Sequence, residues 1–507
     1  MTKNILEFLE EQVERVPEKM AYADELDTLS FIDVYNDAKA IGSGLGKLIP
    51  EKTPVAVLMD SRHIQYVEAM FGILYAGCFY APMDSAVPLE RLDILLERLE
   101  PSMILYDDKN QQTAFKFEGR YPLVSFSALK KEAVDEELLA GIRKRTSFND
   151  LLCVMFTSGS TGIPKWVAHT HASIYNWCLA TIDAFGFEKD LVVGNQSPFF
   201  YSNSLGSVFL PISLGCSACI LSASILSFPK KMIEALKKFR VSDLCMTPSS
   251  YTSVADAGAL ESEVLPDLKW MILSGEACNS QAMKKWTAST PNGYVWNFYG
   301  STEALPVAVL KLERTFKPGE IIPVGPVYDQ MHIIFVDEDG NEVPYGEKGE
   351  MLVHSPWMSS GYYKDPERTK EAFVNDPLNK GWNEIFYRTG DLGFFNELGE
   401  LVVTGRKDNM IKHKGYRMEL GEVEYAIKSI EGVNDGCCVH DKDTDTLYCF
   451  YMGRISEQDT ARALKGILPK FAIPDRIIKV DSIPYTATVK ADRKALLKMA
   501  KEGMLVK

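Results

Sequence analysis

The 507-residue sequence has no uninterrupted apolar run of the roughly 18 residues that a membrane-spanning helix requires. It also lacks an excess of positive charge: 55 Lys and Arg residues against 69 Asp and Glu residues give a net charge of −14, which disfavours binding to nucleic acid or anionic membranes. Residues 1–15 follow an acidic amphipathic helix pattern rather than that of a secretion signal. These absences predict a cytoplasmic protein with neither a membrane nor a nucleic-acid partner.

Patterns that would indicate a metal site are also scarce. Ten cysteines are spread through apolar segments, as is typical of reduced and buried thiols. Cys216 and Cys219 form a lone CxxC without a second pair or a nearby histidine, so we expect a buried strand there rather than zinc. His169 and His171 are two residues apart and would face different sides of a helix, which favours capping or packing over a shared ion.

What is present indicates a large mixed fold. Strand-like and helix-like segments alternate along the first half and predict a doubly wound α/β architecture. Residues 321–399 are richer in proline and glycine, with short alternating strands, and predict a β-rich subdomain. The last hundred or so residues have the pattern of a compact α+β unit. We therefore expect a large multi-subdomain N-terminal α/β domain (1–407) and a small C-terminal α+β domain (408–507).

One stretch has the composition of a phosphate-binding loop: Phe156-Thr157-Ser158-Gly159-Ser160-Thr161-Gly162-Ile163-Pro164-Lys165. It follows an apolar segment, 151–156, that predicts a buried strand. Two glycines allow close backbone approach, the hydroxyls can donate to non-bridging oxygens, and the lysine adds a cation. The spacing is not that of a Walker A loop. Taken alone, the stretch could also be a surface loop rich in serine and glycine.

A second loop follows another predicted strand at residues 295–303. It offers Thr302 to an anion, Glu303 to a hard cation and the ring of Tyr299 as a stacking face. In isolation this short motif carries little information, so its interpretation depends on the other loops.

Five separated motifs occur in one order: TSGSTGIPK, YGSTEA, YRTGDLG, GRKDNMIKHKGYRMELGEVE and VKADRKAL. Together they resemble the adenylate-forming superfamily, which includes acyl-coenzyme A synthetases, luciferases, nonribosomal peptide adenylation domains and D-alanyl carrier protein ligases. The resemblance extends from residue 5 to about residue 498. It implies a small, mobile C-terminal domain and an enzyme that uses ATP to convert an acid to acyl-AMP with release of pyrophosphate, then transfers the acyl group to a thiol.

The resemblance also implies residue roles. The first loop would hold the β- and γ-phosphates through Ser158, Ser160, Thr161 and Lys165, and its residues Thr157, Gly159 and Gly162 would also contact ATP. Adenine would be flanked by Gly275, Glu276, Ala277, Asn297 and Tyr299. Thr302 would contact the α-phosphate and Glu303 would hold Mg²⁺, while Asp391 and Arg406 would serve the ribose. The C-terminal domain would supply the catalytic Lys490, the hinge Asp408 and, in the thiol tunnel, Gly415. Thr488-Val489 before the lysine departs from the commoner NGK form.

The thiol acceptor is indicated by residues 414–422, Lys-Gly-Tyr-Arg-Met-Glu-Leu-Gly-Glu, which resemble the peptide-synthetase and D-alanyl ligase branch. This favours the phosphopantetheine arm of a carrier protein, acting in trans since the chain ends at Lys507. Coenzyme A is the alternative acceptor, which the residues of the His169-Thr-His171 and YGSTEA motifs favour. A non-catalytic adenylate-binding regulator would be expected to have lost Lys490 or Glu303, and both are present.

The acid is less clearly indicated. Amino-acid-activating relatives carry an aspartate that pairs with the substrate ammonium where this chain has Ser202, and losing that partner disfavours an α-amino acid. The predicted pocket wall comprises Tyr201, Ser202, Asn203, Gly206, Cys245, Ser274, Phe298 and Pro306. These mostly neutral residues favour an aryl or short acyl acid, whereas the motif class favours an amino acid such as D-alanine.

Overall fold

The computed structural model describes residues 4–83, 85, 87, 89–157, 165–275, 280–314, 316, 321–379, 381, 383–407, 410–413, 416–468, 472–486 and 490–502. Its helices are α1 Leu6–Arg15, α2 Phe31–Leu48, α3 Gln65–Tyr75, α4 Leu89–Leu99, α5 Gln111–Ala114, α6 Phe126–Leu129, α7 Glu136–Arg145, α8 His171–Phe185, α9 Leu205–Leu210, α10 Ala223–Leu226, α11 Pro229–Lys238, α12 Pro248–Asp256, α13 Ser280–Ser289, α14 Pro366–Ala372, α15 Leu420–Lys428, α16 Glu457–Ile467 and α17 Arg493–Lys501.

The strands alternate with these helices through most of the chain. They are β1 Met20–Ala23, β2 Thr28–Ser30, β3 Pro54–Leu58, β4 Phe79–Pro82, β5 Met103–Tyr106, β6 Leu123–Ser125, β7 Leu151–Thr157, β8 Lys165–Thr170, β9 Val192–Asn195, β10 Ser217–Ile220, β11 Asp243–Met246, β12 Trp270–Ser274, β13 Tyr294–Ser301, β14 Leu305–Lys311, β15 His332–Val336, β16 Gly349–His354, β17 Phe373–Asn375, β18 Ile385–Phe395, β19 Leu401–Arg406, β20 Met410–His413, β21 Tyr416–Glu419, β22 Val433–Asp441, β23 Thr446–Gly453 and β24 Arg476–Lys479. The predicted mixed α/β class is confirmed.

Two sheets form the bulk of the large domain. One has the strand order β14-β13-β12-β11-β9-β10-β1-β2 and the other the order β6-β5-β3-β4-β7-β8. Most neighbours are parallel, as the alternation of strands and helices predicts, but β2 runs antiparallel to β1, β8 to β7 and β14 to β13. The two predicted ligand loops connect β7 to β8 and β13 to β14. Each loop therefore follows the carboxyl end of a strand, which is where parallel sheets place their ligand sites.

Helix α8 illustrates how local sequence sets an element. The side chains and backbone N–H groups of Thr170 and Ser173 satisfy each other in a capping box at its start. Gly186 ends it in the left-handed region with φ 62°. His169 is the residue before the cap and belongs to β8, while His171 is the first helical residue, and both are buried. The expected packing role fits these positions.

The remaining strands form smaller sheets. The predicted β-rich subdomain contains β15 to β19, which extend beyond residue 399 to Arg406. Past it, β20 and β21 form a hairpin and β22, β23 and β24 form a separate sheet. The hydroxyl oxygen of Tyr425 on α15 accepts the backbone N–H of Ile322 at 3.1 Å, which joins the two parts. The boundary between residues 407 and 408 stays a prediction, and Asp408 lies outside the described residues.

Two expectations from the sequence concern this fold: that the CxxC pair does not bind zinc and that no helix spans a membrane. Cys216 and Cys219 are buried beside and within β10 and pack into different hydrophobic clusters. They therefore point to opposite faces, as residues three apart on a strand do, and cannot share one ion. Among the residues that the structure describes, no helix is long and apolar enough to span a membrane.

Candidate active site

Tyr362 connects two of the predicted site residues. Its hydroxyl donates to Oε1 of Glu303 at 3.0 Å and lies 3.4 Å from Nζ of Lys165, which also lies over the tyrosine ring. Glu303 is buried. Burial and the Glu303 charge raise the pKa of the Tyr362 hydroxyl, so it remains a proton donor. The cation of the first motif and the carboxylate of the second are thus joined through one side chain.

Sequence analysis did not identify Tyr362, because its place in the site depends on long-range backbone pairing. Gly361 has φ 111°, a conformation that favours glycine, and its carbonyl accepts the N–H of Ala168 at 2.9 Å. The N–H of Tyr363 donates to the carbonyl of Trp166 at 2.7 Å. The segment therefore runs along β8, the strand that begins at Lys165. The Gly-Tyr-Tyr sequence is a weak signal that could have drawn attention to it.

Thr302 lies where the predicted acid pocket meets the predicted phosphate site. Its hydroxyl is 3.2 Å from that of Ser202, a pair in which either oxygen can donate. Its backbone carbonyl lies 2.9 Å from Nε2 of His169. Burial lowers the pKa of His169 to about 4, so the ring is neutral near pH 7 and its Nε2–H donates to the carbonyl. His169 is thus a positioning residue for Thr302. Sequence analysis had predicted only a capping or packing role for His169.

Asp391 forms the centre of a third group. It stands opposite Arg406 in the register of β18 and β19, and its Oδ1 lies 3.0 Å from Nη1 of Arg406. The hydroxyl of Tyr299 donates to its Oδ2. Burial raises the pKa of the Asp391 carboxyl, while Arg406, Tyr299 and Lys490 oppose that rise. The sequence predicted Tyr299, Asp391 and Arg406 separately, and the structure brings them together.

Lys490 comes from the C-terminal region. It is exposed, its backbone carbonyl accepts the N–H of Thr486 at 2.7 Å, and Ala491 bridges to Tyr485. These bonds close a loop whose residues 487–489 lie outside the described residues. The charge of Lys490 lowers the pKa of Asp391 against the effect of burial, so Lys490 lies within electrostatic range of that carboxyl.

Three of the predicted pocket residues share one face of the eight-stranded sheet. Cys245 pairs with Ile272, two residues before Ser274, which pairs with Phe298. Side chains alternate along strands, so Cys245, Ser274 and Phe298 point the same way. Burial raises the pKa of the Cys245 thiol, which keeps it neutral.

The other predicted pocket residues belong to different elements. Tyr201 packs edge-on against Phe200 with ring centroids 4.7 Å apart, and Asn203 is exposed. Gly206 is in α9, and Pro306 is buried in β14, where its carbonyl accepts from Nε1 of Trp357 at 2.9 Å.

The predicted adenine-side residues are described only in part. Asn297 is buried in β13 and its amide donates to the carbonyl of Pro323 at 2.9 Å. Gly275 follows β12 with φ 87°. Thr157 ends β7 opposite Lys165. Several predicted site residues lie outside the described residues, namely Ser158, Gly159, Ser160, Thr161, Gly162, Glu276, Ala277, Asp408 and Gly415.

Comparison with known proteins identifies the family. Residues 9–363 match the family described as AMP-binding enzyme. The chain is 28% identical to gramicidin S synthase 2 of Aneurinibacillus migulanus, over 100% of this chain but only 11% of that synthase, so it spans a small part of the length of such large relatives. It is also 28% identical to the zwittermicin A synthase ZmaJ of Bacillus cereus, over 98% of this chain and 95% of ZmaJ.

Solved structures share the whole fold, including the smaller C-terminal domain. The anthranilate CoA ligase AuaEII in complex with anthranoyl-AMP superposes with a TM-score of 0.85 at 19% identity, covering 100% of this chain and 98% of that one. Together with the family match over residues 9–363, which is most of the sequence, these findings confirm the predicted resemblance. The chain belongs to the AMP-binding enzyme family.

Proposed function

We propose that this protein uses ATP to activate a small carboxylic acid. The acid's carboxylate oxygen attacks the α-phosphorus, the bond to the bridging oxygen breaks, and pyrophosphate leaves. The acyl-AMP then passes its acyl group to the phosphopantetheine thiol of a carrier protein and releases AMP. A reaction that joins anions needs cations and aimed donors around the transferring phosphorus.

The observation that carries this proposal is the contact between Ser202 and Thr302, whose hydroxyl oxygens lie 3.2 Å apart. Ser202 belongs to the predicted acid pocket and Thr302 to the predicted phosphate site. A carboxylate beside Ser202 would therefore lie next to an α-phosphate held by Thr302. Such proximity turns a reaction between two solutes into one within a single complex.

The nucleotide contacts follow from the groups already described. Asp391 is an acceptor suited to ribose hydroxyls, with Arg406 and Tyr299 fixing its orientation. Lys165 and the loop 158–164 are proposed for the β- and γ-phosphates. Adenine would lie against Tyr299, Asn297 and the stretch 275–277.

The carboxylate of Glu303 fits a Mg²⁺ ligand. It is buried close to Lys165, and carboxylate oxygen is the donor that this hard cation prefers. The bond from Tyr362 to Oε1 fixes the carboxylate's orientation. When bound, the cation would offset the negative charge of the phosphates.

The C-terminal region, residues 408–507, is assigned a role in each half-reaction. We propose that Lys490 neutralises the approaching anions during adenylation. Rotation about Asp408 then brings the hairpin with Gly415 to the thiol for the second half-reaction. The side chain of Lys407, just before the proposed hinge, is anchored 2.9 Å from the buried carboxylate of Glu350. This contact would hold the residue before the hinge on the large domain while the C-terminal region rotates.

The preferred acid is proposed to have a neutral aryl or short acyl tail. The pocket residues Ser202, Cys245, Ser274 and Phe298 supply no carboxylate for a substrate ammonium, and a buried ammonium without a partner is strongly disfavoured. Amino acids, D-alanine among them, are the alternative, which the resemblance of residues 414–422 to the peptide-synthetase and D-alanyl ligase branch favours.

The test is acid-dependent exchange of pyrophosphate into ATP with a panel of benzoate-like, short acyl and amino acids. Thioester formation is then measured with holo-carrier proteins and, in parallel, with coenzyme A. The proposal predicts exchange with a neutral-tailed acid and faster transfer to a carrier. Exchange with amino acids alone would overturn the assigned acid, and transfer to coenzyme A alone would overturn the assigned acceptor. A protein that exchanges with no acid in the presence of Mg²⁺ would overturn the activity itself.

A further inference from the structure

A cluster of metal-ligating side chains lies in the C-terminal region, in a part of the fold that the proposed reaction does not use. His413 ends β20, His440 belongs to β22, and Asp445 lies in the turn between β22 and β23. One ligand atom from each lies within 4.8 Å of the other two. Residues that are distant in sequence and come from two different sheets therefore converge on one point.

The environment of the His413 side chain indicates a bound ligand. The side chain is fully buried, and neither ring nitrogen has a hydrogen-bond partner among the described residues. A buried polar group without a partner is unfavourable, and most such groups in proteins are satisfied by a side chain, a water or an ion. Here the unsatisfied nitrogens lie beside a carboxylate and a second imidazole.

The distances suit a shared metal ion. Nδ1 of His413 lies 3.4 Å from Oδ1 of Asp445, and Nε2 of His440 lies 2.8 Å from the same oxygen. Two ligands in a tetrahedral zinc site, with bonds of about 2.0–2.1 Å, are separated by about 3.3 Å. The His413–Asp445 separation matches this value, and a small shift of the His440–Asp445 pair would reach it.

The surroundings orient these groups. Nε2 of His413 lies 3.3 Å from Oδ2 of Asp475, and a carboxylate behind the second ring nitrogen is the usual arrangement at a metal-bound histidine. Asp475 is held in turn by the N–H of Leu447, which donates to Oδ2 at 2.9 Å. Asp445 has φ 48°, which Asp and Asn tolerate better than other residues and which turns the chain back on itself.

We propose that His413, His440 and Asp445 bind a divalent first-row transition-metal ion, of which zinc best suits two imidazoles and one carboxylate. A solvent molecule completes a tetrahedral set. The ion connects the hairpin of β20 and β21 to the sheet of β22, β23 and β24. Its role is structural, and the site does not depend on the activity proposed above.

The alternative is that the two histidines simply share one carboxylate. In that arrangement His440 bonds to Asp445, the rings pack edge to face with centroids 5.7 Å apart, and no ion is needed. It gives Nε2 of His440 a partner but leaves Nδ1 of His440 and both ring nitrogens of the buried His413 without a hydrogen-bond partner among the described residues. The two arrangements differ in their response to added metal.

The experiment uses the full chain, treated with a chelator, dialysed and titrated calorimetrically with zinc alone. We expect a single tight zinc ion per chain and a rise in the melting temperature. Asp445→Asn keeps the shape of the side chain and tolerates the positive φ, but it removes the charge of the ligand. It should weaken zinc binding by about 10- to 100-fold. His440→Gln should do the same. Replacing the fully buried His413 is avoided because that variant could fail to fold.

Asp443→Asn is the matched control, since Asp443 lies in the same turn, is exposed and pairs with Lys501. Its zinc affinity should equal that of the unmodified chain. Absence of tight zinc binding would overturn the proposal, as would binding that Asp445→Asn and His440→Gln leave unchanged. X-ray absorption of the zinc-loaded chain should show nitrogen and oxygen ligands; sulfur ligands would place the ion at cysteines and overturn the assignment.

Discussion

The two ends of the candidate site are built differently. In the large domain, Asp391 is partly buried and held on one side by Arg406 and on the other by Tyr299. In the C-terminal region, Lys490 is exposed on a loop closed by backbone bonds and reaches Asp391 through its charge. Groups proposed to hold the nucleotide in both half-reactions are thus held by neighbouring side chains, whereas the lysine proposed for one half-reaction lies on the part that we propose to rotate.

Removing Lys490 gives the largest expected effect. Lys490→Ala should slow acyl-AMP formation by about 10²–10³-fold, because it removes a cation aimed at approaching anions. Transfer from supplied acyl-AMP should be largely retained. Single-turnover measurements of each half-reaction check this, with Lys494→Ala, an exposed lysine of the nearby α17, as the control. If both half-reactions fell equally, the lysine would not be specific to adenylation and the contrast between the two regions would fail.

Charge at the junction of the acid pocket and the phosphate site should have the next largest effect. Ser202→Asp places a carboxylate near the hydroxyl of Thr302, where it is partly buried and would be repelled by the α-phosphate that Thr302 is proposed to contact. Pyrophosphate exchange with the preferred acid should fall about 10–100-fold relative to Ser202→Asn, which has the same shape without the charge. A small amino acid should become a weak substrate.

The contrary outcome for this position is clear. Equal activity of the Asp and Asn variants would mean that residue 202 does not face the reacting groups. Robust exchange of the unmodified chain with D-alanine, and none with neutral-tailed acids, would show that another group pairs with the ammonium. The sequence alone could not separate these cases, since the partner could come from a distant segment.

Removing the Tyr362 hydroxyl tests how well the large-domain side is fixed. Tyr362→Phe deletes the donor to Glu303 and the contact to Lys165, and should lower adenylation about tenfold, the loss expected for one hydrogen bond to a charged group. The concentration of Mg²⁺ needed for half-maximal rate should rise. Tyr363→Phe is the matched control, because the neighbouring ring packs on Phe79 instead. Equal behaviour of the two variants would remove Tyr362 from the site.

Much of this site could be predicted because the informative residues lie close together in the chain. The apolar segment before the phosphate loop is β7, and the YGSTE motif ends β13, as expected from a strand pattern followed by glycine and hydroxyl residues. The pattern of a compact α+β unit in the last hundred or so residues likewise agrees with α15 to α17 and β20 to β24. These features depend on periodicity and turn chemistry, which a sequence displays directly.

What could not be predicted depends on long-range pairing. Tyr362 reaches the site because its segment bonds to β8, and His169 matters because its ring meets the carbonyl of Thr302. His413 and His440 meet only once two sheets pack together. Neither periodicity nor spacing encodes such contacts, so the sequence does not reveal these roles.

The smallest effect on activity is expected at Asp243, a buried acid that contrasts with Asp391. Both carboxyls have a raised pKa, but Asp391 has Arg406 beside it, whereas for Asp243 burial alone raises the pKa to about 7. Asp243 lies two residues before Cys245 on the same face of β11, and its Oδ1 has no hydrogen-bond partner among the described residues. It therefore lies in the same sheet face as the pocket, toward the amino end of the strand.

The sign of the pH effect follows from that pKa. The folded chain holds the proton of Asp243 up to about pH 7, while the unfolded chain releases it near its ordinary value of 3.8, so stability falls as pH rises between these values. Asp243→Asn removes the loss and should stabilise the protein above pH 7 by up to about 4 kcal/mol, with no gain below pH 4. Urea unfolding of both proteins at pH 4, 6 and 8 checks this, and a gain that does not change with pH would contradict it. Pyrophosphate exchange with a neutral-tailed acid should be unchanged in the variant, whereas loss of exchange with an amino acid would make Asp243 the missing partner of its ammonium.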